Sequence, residues 1–457
     1  MKKQLIEIMC AVALLSSCHI YKSYKRPDVS TSGIYRDTVS VKDTLVSDTT
    51  NMGNLPWKEV FRDPGLQTLI EKGLSHNVNL QTAMLRVEEA KASLLAARLA
   101  FAPSVALAPQ GTVARFDGVT AKTYTLPVTA SWEVDAFGGL LNAKRGAKTS
   151  LLQSEAYRQA VKTQVVANIA NCYFTLLMLD EQLDITEKTA KIWGENVQTM
   201  KVMKKAGMTN EAGVSQSEAT YYQVNATLPD LRRQIRETEN TLSLLLGQGP
   251  RQIERGTLAD QQMPVKLSVG IPLQMLSNRP DVKQAEMTLA TAYYSTNEAR
   301  SAFYPQITLS GLAGWTNNAG SVIVDPGKFL LSFAGSLTQP LFAKGTNIAR
   351  LKIAKAEQQA ALLAFQQSIL AAGTEVSNAL YQYQSAGEKC IQRKQQIESL
   401  NISVDKTQQL MKYGSSTYLE VLTAQQSLLS ARLSDVADRF ERIQAVINLY
   451  QALGGGR

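Results

Sequence analysis

Residues 79–107 read NLQTAMLRVEEAKASLLAARLAFAPSVAL, and residues 281–309 read DVKQAEMTLATAYYSTNEARSAFYPQITL. The two stretches align without a gap: Asn79, Ala83, Arg98, Phe101, Pro103 and Leu107 fall on Asp281, Ala285, Arg300, Phe303, Pro305 and Leu309. Further along, Gly207, Val214, Leu246 and Gly247 repeat as Gly414, Val421, Leu453 and Gly454. The offset grows from about 202 to about 207 residues, so a short insertion separates two copies of one duplicated architecture. Each copy carries a helical pattern into a proline, Pro103 or Pro305, where the apolar period drops from helical to two.

In the first copy Val105, Leu107 and Val113, then Tyr124, Leu126, Val128, Ala130 and Trp132, alternate with small or polar residues, with a loop beginning at Phe116-Asp117-Gly118. The second copy alternates through Ile307, Leu309, Gly311, Ala313 and Trp315, enters a loop containing Asn317, Asn318, Gly320 and Pro326, and resumes at Leu331, Phe333, Gly335 and Leu337. The pattern predicts one β-hairpin per repeat, 104–134 and 305–340, with strands of about ten residues, the length of a tilted membrane strand. Ordinary soluble hairpins would share the same pattern.

Long heptads follow. From Val165 through Ile169, Cys172, Leu176, Leu179, Leu183, Thr186, Ala190, Trp193, Val197 and Met200 the apolar steps alternate between four and three, and Val214 to Leu245 returns in the same rhythm. The second copy repeats this from Ile369 to Met411 and back through Leu429, Val436, Ile443 and Tyr450. These are antiparallel helical pairs with tips near 207–213 and 414–417. A helix from Gly138 to Ala206 is on the order of 100 Å long; the return is split into about 50 Å and about 35 Å pieces by an irregular belt.

The N-terminus has Lys2 and Lys3, an apolar run Met9–Leu15, and Leu15-Ser16-Ser17-Cys18. It reads as a signal peptide over 1–17, too short for a permanent membrane helix. The ending resembles a bacterial lipoprotein signal, which implies acylation of Cys18; a plain secretory signal with an incidental cysteine is the alternative. His19, in place of the aspartate that retains many lipoproteins at the inner membrane, favours the outer membrane. Residues 18–63 are expected to form a lipidated tether and extended segment. Cys172 and Cys390 occupy non-equivalent places in the repeats and read as small buried residues, not a disulfide. The net charge of +9 is spread along helical faces, as in Arg232, Arg233, Arg236, Glu237 and Glu239, which argues for solvated surfaces and against nucleic acid.

Four strands cannot close a barrel in lipid, because open edges leave backbone groups unpaired at several kcal/mol each. Other copies of the chain must supply the missing strands, and periodicity alone leaves their number open. The two histidines, His19 and His76, lie far apart, and no phosphate loop, nucleophile elbow or zinc-protease helix is present, so neither an enzyme nor a metal site is expected.

Several blocks resemble the outer-membrane efflux factors related to TolC and OprM, in the RND-type, NodT-like lipoprotein branch. They are Leu55-Pro56-Trp57 with Phe61-Arg62-Asp63-Pro64, Ser131 to Gly138, Asn278-Arg279-Pro280-Asp281, Phe303-Tyr304-Pro305, Gln339-Pro340-Leu341-Phe342, and Tyr413-Gly414 through Leu419-Glu420-Val421-Leu422 to Gln425. The resemblance runs from about Cys18 to Gly454. It implies a mostly α fold, a duplicated coiled-coil barrel continuous with a twelve-stranded β-barrel made by a homotrimer with four strands per chain. The repeats would span 64–247 and 280–457, joined by an equatorial linker 248–279.

The same resemblance implies the exit duct of a tripartite pump. Its partners would be a periplasmic adaptor (membrane fusion protein), an inner-membrane transporter of RND type and outer-membrane lipid, with no cofactor besides the acyl group on Cys18. The family's adaptor-docking tips map to Gly207, Met208, Thr209, Gly414, Ser415 and Ser416, which are also simple turn residues. Glu420 falls where relatives place an inward carboxylate at the periplasmic gate. Thr423 stands where some carry a second acid, so a weakened cation preference is expected; a solvated surface glutamate is the alternative. Arg279, Pro280 and Asp281 read as a helix start, with Pro in the first turn and Asp opposing the positive helix end. A type I protein-secretion duct and a lipid-anchored periplasmic coiled-coil scaffold remain alternatives.

Overall fold

The computed structural model describes residues 21–29, 55–261, 279–318 and 323–455. Cys18 and His19, and residues 262–278 of the expected linker, lie outside them. The elements are α1 (Trp57–Val60), α2 (Pro64–His76), α3 (Val78–Leu99), β1 (Ser104–Leu107), β2 (Gln110–Phe116), β3 (Val119–Val134), α4 (Gly139–Lys205), α5 (Glu211–Leu245), α6 (Pro280–Ser301), β4 (Gln306–Asn318), β5 (Ile323–Thr338), α7 (Thr346–Lys412) and α8 (Tyr418–Ala452). The duplication extends to lengths: α3 and α6 have 22 residues each, α4 and α7 have 67, α5 and α8 have 35. No helix among the described residues is long and apolar enough to cross a membrane.

The chain divides into two compact units, one formed by 1–30, 85–156 and 283–368, the other by 31–84, 157–282 and 369–457. The first contains an antiparallel sheet in which β3 pairs with β4, β4 with β5, and both β1 and β2 with β3. β1 and β2 are one strand interrupted at Ala108-Pro109, where proline has no N–H to give; the Ala108 N–H donates to the Pro127 carbonyl at 3.1 Å. Four strand positions result.

The strands are longer than their alternation predicts. β2 and β3 meet at a two-residue turn, Asp117-Gly118, both with positive φ (45° and 77°), a hairpin geometry that asparagine, aspartate and glycine accept. The expected loop after Phe116 is therefore strand on both sides. Pro326, expected in a loop, lies within β5, which has a strand neighbour on one side only, where a missing N–H is tolerated. Gly314 opposes Pro127, and a Cβ there would sit 2.2 Å from the Leu126 carbonyl oxygen, so the strands can approach only over glycine.

Residues 21–28, expected to lead into an extended tether, lie against the helices of the same unit. Tyr293 donates to the Lys22 carbonyl (3.0 Å), the Tyr24 N–H donates to the Tyr294 hydroxyl (3.2 Å), and Arg26 pairs with Glu286 at 3.5 Å while its guanidinium lies 5.4 Å from the Phe365 ring centre. Alternation and heptads cannot register such a strap, which has neither.

The second unit is built on the heptad seam. Val165, Ile169, Leu176, Leu179, Thr186, Ala190, Trp193, Val197 and Met200 are buried, as are Ile369, Ala372, Val376, Ala379 and Ala386 of α7. Cys172 and Cys390 are free and only half-buried, a departure from the expected full burial; desolvation raises both thiol pKa values. Helix α1 and Phe61 also belong to this packed unit and not to a tether: Trp57, Val60 and Phe61 are buried, with Phe61 edge-to-face on Tyr450 at 5.3 Å.

The belt after α5 has no regular structure over 248–261, yet it is pinned. Ile253 and Leu258 are buried. Arg255 reaches Asp180 of α4 and Glu239 of α5, the latter at 2.6 Å, with the Arg255 and Glu239 side chains only 11% and 12% exposed. The Tyr173 hydroxyl donates to Asp63 at 2.9 Å and accepts from the Gly256 N–H at 3.4 Å; Gln261 donates to the same carboxylate at 2.8 Å, and Asp63 caps α2 by accepting from the Leu66 N–H at 3.0 Å. Burial by itself would raise the Asp63 pKa; the Gln261, Leu66 and Tyr173 hydrogen bonds outweigh it and hold the carboxyl below its ordinary value.

Arg255→Ala leaves Glu239 buried and unpaired, and is expected to destabilise the second unit by about 3 kcal/mol, read as a lower unfolding midpoint and new proteolytic cutting within 248–261. Asp63→Ala removes the cap and is expected to cost about 1 kcal/mol at neutral pH. Because the folded pKa is depressed, this contribution is complete above the unfolded value of about 3.9 and is lost as pH falls through the folded value. The gap between wild type and variant should therefore close in acid denaturation series; a gap independent of pH would refute the assignment.

Candidate functional site

The sheet separates its two faces chemically. On β3 the side chains of Leu126, Val128, Ala130 and Trp132 share a face with their partners Trp315, Ala313, Gly311 and Leu309 of β4, and these with Phe329, Leu331, Phe333 and Gly335 of β5. The opposite face carries Thr125, Thr129 and Ser131, then Thr316, Ser310 and Thr308, then Lys328, Ser332 and Ser336, with Pro127, Leu312, Leu330 and Ala334 as apolar exceptions. Among the described residues nothing covers the apolar face: Leu126, Val128, Trp132, Leu309, Trp315, Phe329, Leu331 and Phe333 are all exposed. A soluble hairpin would turn such a face to a core.

Aromatic residues mark both ends of that face. Trp132 donates its indole N–H to the Phe101 carbonyl at 2.9 Å, and Phe137 stacks on Tyr304 at 5.1 Å where helices meet strands. At the other end Trp315 and Phe329 pack edge-to-face at 5.3 Å beside Tyr124, whose hydroxyl accepts from the Gly327 N–H at 3.1 Å. From Tyr124 to Trp132 is about 27 Å along the strand at about 3.4 Å per residue. Tilted by about 40°, that rises about 20 Å, close to the roughly 25 Å apolar band of a membrane barrel between its aromatic girdles.

Neither β1/β2 nor β5 has a second strand neighbour among the described residues. The sheet thus has two open edges, with unsatisfied N–H and C=O groups along both, which lipid does not tolerate.

In the second unit the two tips repeat one geometry. After α4, Gly207 has φ +74°, its N–H donating to Lys204, and the Met208 N–H donates to the Met203 carbonyl. After α7, Gly414 has φ +73°, its N–H donating to Met411, and the Ser415 N–H donates to the Leu410 carbonyl. Both are glycine-terminated helix ends, and a Cβ at either glycine would meet open space, so the backbone angle and not crowding selects glycine. Thr209 precedes Asn210, which caps α5 by accepting from the Gly213 N–H at 3.0 Å. Met208 and Tyr413 are among the most exposed large side chains of this unit.

Glu420 lies in the first turn of α8 and is fully exposed; its carboxylate accepts from the Ser416 hydroxyl, which lowers its pKa. Thr423 turns back to donate to the Leu419 carbonyl at 2.8 Å. Of the expected docking residues, Ser416 is thus tied to the expected gate residue. Pro280 opens α6, with Asp281 in its first turn. Arg279 does more than precede it: 6% exposed, it donates to Asp281, to Glu375 of α7 at 2.6 Å and to the Ala452 carbonyl at the end of α8 at 2.7 Å.

Heptad reading misses the polar links near the tips because it registers only apolar positions. Ser217 of α5 and Tyr418 of α8 share a 3.1 Å hydroxyl contact, and Asn196 of α4 donates to Gln425 of α8 at 3.0 Å, so the first and second repeats are bonded to each other through half-buried polar groups. The available signal was the placement of Ser217 and Gln425 on faces that the apolar pattern makes internal.

Residues 69–248 and 271–455 match the family model described as "Outer membrane efflux protein". The cation efflux system protein CusC of Escherichia coli is 28% identical over 451 residues, 98% of this chain and 97% of CusC. The toluene efflux pump outer membrane protein TtgC of Pseudomonas putida is 26% identical over 473 residues, covering 100% of this chain and 96% of TtgC. Among solved structures, the open state of the Neisseria gonorrhoeae MtrE outer membrane channel superposes with a TM-score of 0.85 at 27% identity, over 96% of this chain and 98% of MtrE. A family match across both repeats, together with a two-faced strand sheet and paired helical hairpins, places the chain in the outer membrane efflux protein family, as an outer-membrane channel of an efflux system.

Proposed function

We propose that the chain assembles as a homotrimer in which each copy's four strand positions join edge to edge into one twelve-stranded barrel, and in which α4, α5, α7 and α8 of the three copies form the wall of a periplasmic tunnel. The observation that carries this reading is the sheet, apolar and uncovered on one face, polar on the other, and open at both edges. Pairing β5 of one copy with the β1/β2 strand of the next satisfies both edges by rotation about a single axis. The polar face then lines a wet lumen and the apolar face meets lipid.

The duct conducts passively, taking drugs and other small molecules from a periplasmic adaptor and an inner-membrane transporter of RND type. Selection belongs to the transporter, and the chain itself performs no catalysis and holds no cofactor beyond acyl groups on Cys18. That the relatives' names cite cations and toluene fits a conduit whose cargo is set elsewhere. The tips Gly207, Met208, Thr209, Gly414, Ser415 and Ser416 present exposed backbone and short side chains to the adaptor. Glu420, threefold repeated, forms a ring of carboxylates at the periplasmic gate, with Thr423 giving no second ring. Arg279 holds α6, α7 and α8 in register.

Reconstituted in planar bilayers, the protein is expected to conduct as a heat-modifiable oligomer; a monomer that becomes soluble once Cys18 is replaced would end this reading. Glu420→Gln should shift the reversal potential towards lower cation selectivity at neutral pH, and unchanged selectivity would remove Glu420 from the gate. Met208→Glu combined with Ser415→Glu should leave conductance intact while abolishing resistance to dyes and antibiotics in a deletion strain; retained resistance would locate docking elsewhere.

A further inference from the structure

The β2–β3 ribbon runs past the rest of the sheet. Residues 119–124 of β3 pair with β2 alone, because backbone pairing with β4 ends at the Thr125–Thr316 rung. The Asn317 side chain closes that end, accepting from the Tyr124 N–H at 2.6 Å and donating to the Lys122 carbonyl at 3.0 Å. Beyond it the ribbon continues to the Asp117-Gly118 turn with all of 110–120 exposed.

On this extension the face that is apolar lower down changes character abruptly. Two residues past Tyr124, about 7 Å along the strand, the same face carries Lys122 opposite Val113; one rung further it carries Arg115 opposite Thr120. Lys122 and Arg115 are diagonal cross-strand neighbours, about 7–8 Å apart. Neither has an ion-pair partner among the described side chains. The turn residue Asp117 is the nearest carboxylate in sequence, and it makes no salt bridge with either. Lys328, the described cation of β5, belongs to the opposite face through its pairing with Thr316.

We infer that Lys122 and Arg115 form a docking surface for the phosphate groups of the outer-leaflet lipid headgroups, with a bisphosphorylated glycolipid as the fitting occupant. The inference rests on the barrel reading, which puts the apolar face in lipid and the hairpin turns outside the cell. Two like charges side by side repel unless an anion lies between them. They stand on the lipid side, just above the Tyr124, Trp315 and Phe329 girdle, where headgroup phosphates begin. The lysine stem can lie along apolar surface and lift its ammonium to that level, and the arginine fork grips phosphate through paired N–H bonds. Lumenal cations such as Lys328 cannot do this, since water screens them and no headgroup reaches them.

The test uses the full-length oligomer in neutral detergent, titrated with bisphosphorylated lipid A and followed by native mass spectrometry. Wild type should bind it, with affinity falling as salt rises. Arg115→Gln with Lys122→Gln should weaken binding on the order of tenfold and flatten the salt dependence, whereas Lys328→Gln should leave both unchanged. Dephosphorylated lipid A should bind both proteins alike, and inorganic phosphate should compete only weakly, because the occupant is a headgroup anchored beside the apolar face. Equal lipid A affinity in wild type and the double variant, or full competition by inorganic phosphate, would overturn the inference while leaving a conducting duct intact. Failure of the unmodified protein to form a conducting oligomer would overturn the duct reading and this inference with it.

Discussion

Backbone hydrogen bonding in lipid is the constraint from which this architecture follows. A strand in hydrocarbon must pair on both sides, and each unpaired group costs several kcal/mol. Among the described residues β4, and β3 from Thr125 onward, have strand neighbours on both sides, while β1/β2 and β5 each keep one open edge. The side chains cannot relieve this, since the face that would have to be hidden in water is lined with Trp, Phe, Leu and Val and is left exposed among the described residues. In the proposed assembly further copies of the chain supply the missing neighbours, and several features of the first unit are compatible with that closure. Gly314 permits close strand approach, Pro109 falls in the break between β1 and β2 and Pro326 in β5 with its single described neighbour, where a missing N–H is harmless, and the indole of Trp132 ties strand to helix end.

The helical unit solves a different problem. Four helices of alternating direction have to stay in register over many heptads, and apolar seams by themselves slide. Polar contacts fix them at intervals. Arg279 joins the start of α6 to α7 and to the end of α8; Arg255 joins the belt to α4 and α5; Tyr418 and Gln425 join α8 to the first repeat. Each has at least one partner that is buried or half-buried, where loss of the other is costly and the register is correspondingly well defined. The contacts that join the two repeats near the tips are hydroxyl and amide pairs, without the charge of the belt clusters.

Duplication gives the two copies equal helix lengths but not equal local chemistry. The first tip is crossed by a Lys204–Glu211 ion pair, whereas at the second a serine hydroxyl donates to Glu420. The first hairpin turns on Asp117-Gly118 and reaches beyond its neighbours; the second bulges at Asn317 to fill the gap.

Much of the architecture was written in one dimension. The gapless match of 79–107 to 281–309, the steps of four and three from Val165 to Met200, and the change of period after Pro103 and Pro305 are local regularities, and a helix or strand expresses its period wherever it lies. They determined the element order, the duplication and the places of the tips, and left the strands' surroundings, membrane or water, open. What the sequence could not determine are the features made by residues distant in the chain with no period of their own. The strap at 21–28, the burial of Trp57 and Phe61, the Arg255 cluster, the reach of Arg279 to Ala452 and the common face of Lys122 and Arg115 arise only when segments are brought side by side. An isolated charge or aromatic residue has many possible partners along a chain, and only the tertiary structure chooses among them.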